Sequence, residues 1–262
     1  MTLAIAGGLL ASGLPARHVQ VSEPLAEQRE RLAKSLPGVD ISDDNSAVAS
    51  GADCVVLATK PQVLASVCSS LAVAVQKRKP LIISIAAGIS SSDIDAWLGG
   101  NLSVIRVMPN QPALLQLGAS GLFANSLADD EERELASSVM GAVGKVVWVD
   151  SEADIDSVTA ISGSGPAYFF LLIDMLLKTG TNMGLDAAAA RELAVQTAVG
   201  AAAMAEQTED SMDDLIARVR SPGGTTAAAL DSLDEQNVRA IFSTALAAAK
   251  NRAKELANEA GN

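Results

Sequence analysis

Three mainly apolar segments in the first half of the chain constrain the fold more than any other feature. Cys54–Ala58 is a continuous apolar run, and Leu81–Ala86 and Leu102–Val107 are further apolar segments with few polar residues. Segments of this kind are typical of strands that are covered on both faces. Helical patterns at Pro61–Val75 and Ser91–Leu98 separate them. This alternation predicts βαβ units and a parallel sheet.

Weaker patterns extend this alternation over residues 1–150. Further strands are predicted at Val19–Val21, Val39–Ile41, Gly118–Phe123 and Lys145–Val149, and further helices at Thr2–Ser12, Pro24–Ser35, Asn45–Ser50 and Asp129–Met140. A dinucleotide-binding unit opens with a strand and a G-x-G-x-x-G turn before its first helix. Here Met1 already stands at the start of the first helix, and Gly7-Gly8 lies inside the apolar pattern of that helix. We therefore expect the first strand and most of the phosphate-binding loop to lie outside this sequence.

Polar residues, glycine and proline follow three of the predicted strands. The segments are Thr59-Lys60-Pro61, Ala86-Ala87-Gly88 and Met108-Pro109-Asn110. Each alone is compatible with an ordinary turn, but ligands bind beyond the carboxyl ends of parallel strands. Glu23 ends the Val19–Val21 strand, at a position where a carboxylate can accept hydrogen bonds from ribose hydroxyls. The three segments and Glu23 together predict a nucleotide site at one edge of the sheet.

The strand patterns stop after Asp150, and the patterns in the rest of the chain predict helices. These are predicted at Ile155–Ile161, Ala167–Lys178, Ala187–Gln207, Ser211–Val219, Thr226–Leu233 and Glu235–Ala257. The Ala167–Lys178 helix is apolar nearly all round, which requires burial among other helices. We predict two domains, 1–150 and 151–262, the second being all-α and buried against a second copy of the chain. A monomeric helical bundle is the alternative.

The segment Ser221-Pro222-Gly223-Gly224-Thr225-Thr226 stands out in the helical half. Two glycines allow close backbone approach, and Pro222 stiffens the entry. Thr225 and Thr226 open the next helix, whose free amide groups can bind a small anion such as a carboxylate. A loop followed by a capped helix, without any ligand, is the other interpretation.

Charge and composition exclude several classes of function. The net charge of −12 disfavours nucleic acids and anionic membranes as partners. His18 is the only histidine and is expected on a surface loop, so histidine chemistry is not expected. Cys54 and Cys68 lack metal-ligand spacing, and we expect two reduced thiols and no metal site. No apolar run reaches the roughly 18 residues of a membrane span, and no targeting segment is evident. A cytoplasmic location is expected.

Four motifs together resemble the pyrroline-5-carboxylate reductase family. They are Leu57–Pro61, Arg106–Asn110, Val158–Phe170 with its Ser-Gly-Ser-Gly-Pro-Ala-Tyr run, and Ser221–Thr226. The resemblance covers essentially the whole chain in the same order. It implies a Rossmann-like α/β domain followed by a helical dimerisation domain, in dimers that can assemble further into decamers. It also implies reduction of 1-pyrroline-5-carboxylate to L-proline with NADPH or NADH.

Site residues carried over from this resemblance form two groups. The cofactor is expected at Met1, Glu23, Asn45, Ala58, Thr59, Lys60, Pro61, Gln62, Ala86, Ala87, Gly88, Pro109 and Asn110. The substrate is expected at Glu152, Ser221, Gly223, Gly224, Thr225 and Thr226. Thr226 is the catalytic candidate, because its hydroxyl matches the one that faces the substrate ring nitrogen in the family.

Two other functions stay open from the sequence. A β-hydroxyacid dehydrogenase would use a lysine of the helical half, where Lys178 is the only lysine before Lys250. A non-catalytic oligomeric relative, inert without the phosphate-binding loop, is the second. Within the resemblance, Glu23 favours NADH at least as much as NADPH. Arg17, Arg29 or Arg31 would favour NADPH if one of them reached the extra phosphate.

Overall fold

The chain forms two compact units in a computed structural model. The structure describes the backbone of residues 1–260 and the side chains through residue 257. The first unit comprises Met1–Ser164 together with the chain from Ala249 onward, and the second unit comprises Gly165–Ala248.

The first unit alternates strands and helices, as the sequence predicts. Its strands are β1 (Gln20–Ser22), β2 (Asp40–Ser42), β3 (Cys54–Leu57), β4 (Leu81–Ser84), β5 (Val104–Met108), β6 (Gly118–Ala124) and β7 (Gly144–Trp148). Its helices are α1 (Thr2–Ala11), α2 (Ala26–Ser35), α3 (Asn45–Ser50), α4 (Pro61–Arg78), α5 (Ser91–Trp97), α6 (Asp130–Gly141) and α7 (Asp154–Val158). Short 3₁₀ segments occupy Ala16–His18 and Gln111–Leu115, and a π-helical turn occupies Thr159–Gly163.

The main sheet is mixed, so the prediction of a parallel sheet is wrong at one pair. Its order is β3-β4-β5-β6-β7, with β5 and β6 antiparallel and the other neighbours parallel. The connection between β5 and β6 contains only the short Gln111–Leu115 segment. A parallel pair would need a longer crossover, usually with a helix. The chain therefore reverses at this point.

Strands β1 and β2 form a separate parallel pair. No ladder joins this pair to β3 within the described residues. Gly7 and Gly8 lie inside α1, as expected, and a Cβ at Gly8 would come 2.6 Å from the carbonyl oxygen of Ala142. Gly8 thus serves close helix packing, and the glycine pair lies within a helix and not in a phosphate-binding loop.

Apolar layers cover both faces of the main sheet. Every residue of β4 is buried. Leu81, Ile83 and Ile105 pack with α1 and α6 on one face, whereas Ile82 and Val104 pack with α4 and α5 on the other. The two-sided burial that the apolar runs predict is therefore present.

The second unit is helical. It contains α8 (Gly165–Asn182), α9 (Ala187–Glu206), α10 (Met212–Val219), α11 (Thr225–Glu235) and the first part of α12 (Val238–Ala260). The side chain of Asp186 caps α9, and Ser211 caps α10 through a capping box. Left-handed Asn237 (φ 56°) separates α11 from α12, so α12 begins three residues later than predicted at Glu235.

Helix α8 exposes a row of large apolar side chains within a single copy. Phe169, Phe170 and Leu171 are each about 60% exposed. Within the helical stretch Asp154–Asn182, an 18-residue window has a mean hydropathy of 1.5 and is long and apolar enough to cross a membrane by length and composition. Its uninterrupted apolar runs are shorter than 18 residues, because Ser162, Ser164 and Asp174 interrupt them.

The predicted domain boundary at residue 150 differs from the division into units. Ile155 is buried, and Val158 contacts Gly121 of β6 so closely that a Cβ there would lie 2.6 Å away. These contacts place residues 151–164 with the sheet. The boundary at 150 stays a prediction, and residues 261 and 262 of its second domain lie outside the described residues.

Candidate active site

The carboxyl ends of β3, β4 and β5 lie at one edge of the parallel part of the sheet. Ala58, Thr59 and Lys60 follow β3, and Pro61 and Gln62 open α4, with Lys60 at the N-cap position. Ala86–Gly88 follow β4, and Pro109 and Asn110 follow β5. The structure thus brings together the three segments that the sequence singles out.

Two buried hydroxyl groups at strand ends have no hydrogen-bond partner among the described residues. They are Oγ1 of Thr59, after β3, and Oγ of Ser22, the last residue of β1. A buried hydroxyl without a partner is costly, so each is suited to a ligand that supplies the missing hydrogen bond. The polar groups of a nicotinamide dinucleotide fit this need. Sequence reasoning missed Ser22, since only the fold reveals that its hydroxyl is buried and unpaired.

Gly88 requires glycine for two reasons. Its φ of +77° is in the left-handed region, and a Cβ would lie 3.2 Å from the backbone nitrogen of Ala257 in α12. The last described turns of α12 therefore pack against the loop after β4.

Side chains around Glu23 are already held by local hydrogen bonds. Oε1 of Glu23 accepts from the amide of Leu25 at 3.0 Å. Arg29 donates to the carbonyls of Glu23 and Pro24 and pairs with Asp43 at 3.5 Å. Asn45 is the first residue of α3, and Met1 is the N-cap residue of α1. Arg29 is thus committed to the turn after β1.

Asn110 links three segments of the first unit. It is buried, its amide nitrogen donates to the carbonyl of Ser162 at 3.0 Å, and its amide oxygen accepts from the amide of Ala119 at 2.9 Å. In an α-helix the Ser162 carbonyl would accept from residue 166, but Pro166 has no N–H. Asn110 donates to a carbonyl in the π-helical turn that precedes Pro166.

Glu152 is the centre of a polar cluster. Its carboxylate accepts from the amide of Ser91 at 2.6 Å, from the Ser91 hydroxyl at 3.1 Å and from Nη1 of Arg106 at 2.9 Å. Arg106 lies on β5 and is only 7% exposed. Sequence reasoning missed Arg106 and Ser91 as the partners of Glu152, because they are far away in the chain.

The Ser221–Thr226 segment forms a tight turn into α11 within the second unit. Gly223 has a φ of +69°, and the amide of Gly224 donates to the carbonyl of Ser221 at 3.0 Å. Gly224 is the N-cap residue of α11, with no side-chain cap. The amides of Thr225, Thr226 and Ala227 therefore point out of the first turn without intrahelical acceptors.

Ion pairs brace both sides of this turn. Arg220 pairs with Asp231 of α11 at 2.5 Å, and Arg218 pairs with Asp210 at 2.5 Å. A hydrogen bond from Thr208, together with Arg218, lowers the pKa of Asp210. Exposed pairs contribute little stability each, but they limit the positions that the two flanking helices can take.

The lysine of the dehydrogenase alternative is engaged on its own helix. Nζ of Lys178 pairs with Asp174 at 2.8 Å, and its side chain is 72% exposed. A catalytic lysine would be desolvated, so this environment does not favour that role. His18 is exposed in the 3₁₀ segment, as expected.

A mixed α/β sheet followed in the chain by an all-helical unit is an architecture typical of nicotinamide-dependent oxidoreductases. A family model for pyrroline-5-carboxylate reductase dimerisation matches residues 152–256, and a model for coenzyme F420-dependent NADP oxidoreductases matches residues 1–88. The chain belongs to the pyrroline-5-carboxylate reductase family. This membership confirms the sequence-based expectation of an NAD(P)H-dependent enzyme that self-associates.

Individual relatives agree over nearly the full length. A pyrroline-5-carboxylate reductase of Pseudomonas aeruginosa is 46% identical over 100% of this chain and 95% of its own. The solved structure of a pyrroline-5-carboxylate reductase from Coxiella burnetii is 42% identical, with a TM-score of 0.93 over 97% of this chain and 93% of that one. A Plasmodium falciparum pyrroline carboxylate reductase, solved with NADP bound, is 25% identical, with a TM-score of 0.84 over 97% of this chain and 93% of that one.

Proposed function

We propose that this protein reduces 1-pyrroline-5-carboxylate to L-proline with NADPH or NADH in the cytoplasm, as the last step of proline biosynthesis. The observation that carries the proposal is full-length similarity to pyrroline-5-carboxylate reductases, which spans both the strand-end segments and the Ser221–Thr226 turn. The bound cofactor supplies the hydride. The residues of the chain must then hold the two reactants and provide a proton donor.

The substrate carboxylate is proposed to bind at the start of α11. Thr225 and Thr226 present amides without intrahelical acceptors there, and the helix dipole favours a negative charge. The amide of Gly224 already closes the turn to Ser221, so Gly224 and Ser221 shape the site, and Gly223 supplies the positive φ. A bound carboxylate fixes the orientation of the ring.

The catalytic donor is proposed to be the hydroxyl of Thr226. Hydride attack on a C=N carbon makes the nitrogen an amine, which needs a hydrogen-bond donor or a proton. Thr226 is half-buried in the first turn of α11, where its position is fixed by the helix. A hydroxyl with water behind it can supply the proton without a histidine. Holding the ring in the reactive geometry accounts for most of the remaining rate gain.

The cofactor is proposed to bind along the strand ends of the first unit. Thr59 and Ser22 have unpaired hydroxyls to offer, and the Ala86–Gly88 loop follows β4 at the same edge of the sheet as Thr59. The other proposed contacts are Met1, Glu23, Asn45, Ala58, Lys60, Pro61, Gln62, Pro109 and Asn110. Arg29 is held by carbonyl groups, which supports the use of NADH at least as well as NADPH.

Assembly beyond the dimer is also proposed. The exposed apolar side chains of α8 need a covering surface, and a second copy supplies one, since large exposed apolar patches are rare on monomers. From the family resemblance alone, we expect the dimers to join into decamers. Nucleic acids and membranes are not proposed as partners, because the chain carries a net charge of −12.

Two measurements test the function. Nicotinamide fluorescence should report saturable binding of NADPH or NADH to the purified protein. Oxidation of the cofactor should then depend on added 1-pyrroline-5-carboxylate and not on 3-hydroxy acids or their oxo forms. Binding without turnover of the pyrroline would contradict the proposed reaction, and absence of binding would indicate the non-catalytic relative.

A further inference from the structure

We infer that Glu152 is a positioning residue, which fixes the loop between β4 and α5 through Ser91 and Arg106 and does not bind the substrate directly. The inference rests on the proposed contact between the cofactor and Ala86–Gly88 of that loop. Glu152 would then act on cofactor binding, and its role would differ from the one that the family resemblance implies.

Both oxygens of the Glu152 carboxylate are already used. Oε1 accepts from the Ser91 amide at 2.6 Å and from Arg106 at 2.9 Å, and Oε2 accepts from the Ser91 hydroxyl at 3.1 Å. Ser91 is 4% exposed. An ionised carboxylate has about four acceptor positions, so these three donors leave little capacity for a substrate.

Arg106 gives the cluster a rigid base. It lies in the middle of the sheet, with its backbone opposite Ser84 of β4 and Phe123 of β6. Its guanidinium is buried, so it needs a carboxylate partner to offset the loss of hydration. Glu152 therefore connects a fixed point of the sheet to the start of α5.

The loop that this connection holds is anchored at both ends. The amide of Ile85 donates to the carbonyl of Leu57 at 3.2 Å, which fixes the loop to β3. At the other end, Ser91 is the first residue of α5 and is held by Glu152. Gly88, in its left-handed conformation, lies between the two anchors. Loss of the second anchor frees the backbone of Ala86–Gly88 to move.

Three variants separate positioning from direct substrate binding. They are Glu152→Gln, Arg106→Met and Ser91→Ala, with Glu134→Gln on the exposed face of α6 as the matched control. Hydrogen exchange of residues 85–91 is measured without any ligand. The Kd values of NADPH and of NADH are measured by fluorescence. The kcat and the KM for 1-pyrroline-5-carboxylate are measured at saturating cofactor.

In Glu152→Gln we expect exchange at the Ser91 amide to rise about tenfold or more, because a hydrogen bond to a charged group is lost. The Kd of the cofactor should rise by about the same factor. The KM for 1-pyrroline-5-carboxylate and the kcat at saturating cofactor should stay within about twofold of the wild-type values, which is about the scatter between mutations at independent sites. The Kd of the cofactor in the double variant Glu152→Gln/Arg106→Met should be no higher than in the single variant with the higher Kd, because the two residues act as one unit.

Several results would overturn the inference. A KM for the pyrroline that rises tenfold in Glu152→Gln, with loop exchange and cofactor Kd unchanged, would assign Glu152 to the substrate. If Glu152→Gln does not fold, Arg106→Met and Ser91→Ala decide together, because Ser91→Ala alone keeps the bond from the Ser91 amide to Glu152. Exchange and Kd at wild-type values in both variants would also refute the inference. If the wild-type protein binds no cofactor, the proposed cofactor contacts fail, and the exchange data still test the role of Glu152.

Discussion

The side-chain amide of Asn110 donates to the carbonyl of Ser162, which is the carbonyl that Pro166 leaves without an α-helical donor. The same side chain accepts from the amide of Ala119. One buried residue thereby satisfies an irregular helix and a strand at once.

Asn110→Ala is expected to destabilise the protein. It removes the hydrogen bonds to the Ser162 carbonyl and from the Ala119 amide, and a buried group left unsatisfied costs about 1–3 kcal/mol. Urea unfolding should show the loss, whereas Asn182→Ala on the exposed surface of α8 should change stability little. Equal midpoints for Asn110→Ala and wild type would mean that this residue is free for another role.

Thr226→Ala is expected to lower turnover much more than cofactor affinity. Loss of one donor that acts in the transition state typically costs about 10²–10³ in rate. Steady-state kcat and the Kd of NADPH measure the two effects. Thr244→Ala, whose hydroxyl bonds to Ala240 of its own helix, is the control. A kcat near wild type in Thr226→Ala would refute the proposed role.

Phe170→Asp is expected to prevent self-association and to lower activity. Phe170 is 60% exposed in the single chain, within the apolar row of α8. A carboxylate there would be desolvated in an interface between copies. Light scattering measures the mass, with Val73→Asp on α4, 76% exposed, as the control. A wild-type protein that is a stable and active monomer at micromolar concentration would contradict this expectation.

NADH is expected to be used at least as well as NADPH. Glu23 follows β1, and Arg29 is committed to carbonyl groups and Asp43. The ratio of kcat/KM values measures the preference, and Glu23→Gln should shift it toward NADPH, whereas Glu27→Gln should not. A tenfold higher kcat/KM for NADPH in the wild type, about 1.4 kcal/mol, would overturn the argument from Glu23.

Both cysteine thiols are expected to stay protonated in the folded protein at neutral and mildly alkaline pH. Burial raises the pKa of Cys54 from 9.0 to about 12, with added effects of Asp53 and Glu132, and burial raises that of Cys68 to about 11. Above pH 9 the unfolded thiols lose protons that the folded ones keep, so the free energy of unfolding falls as pH rises. Cys54→Ala should show a smaller fall between about pH 8 and about pH 10. Rapid alkylation of the native protein at neutral pH would contradict this.

Local patterns predicted most elements because each element follows the preferences of its own residues. The apolar segments at β3, β4 and β5 favour buried strands, and Asp186 and Ser211 cap helices where their side chains reach the first free amides. The antiparallel turn into β6 was missed. Its direction depends on the length of the connection and not on the strand pattern.

The site was predictable in part. The strand-end segments and the Ser221–Thr226 turn are visible as short motifs. Partners distant in sequence are not visible in this way: the contacts of Glu152 with Ser91 and Arg106 span 61 and 46 residues. The unpaired hydroxyl of Ser22 depends on burial by the whole unit, which no local pattern encodes.

The position of Glu152 also matters for building chimeras between relatives. A crossover after residue 151, just before the dimerisation family model begins at residue 152, would take Glu152 from one parent and Arg106 from the other. Parents with different residues at these positions would then leave a buried guanidinium unpaired. A crossover after Ser164, where the first compact unit ends, keeps the two residues of this ion pair from the same parent.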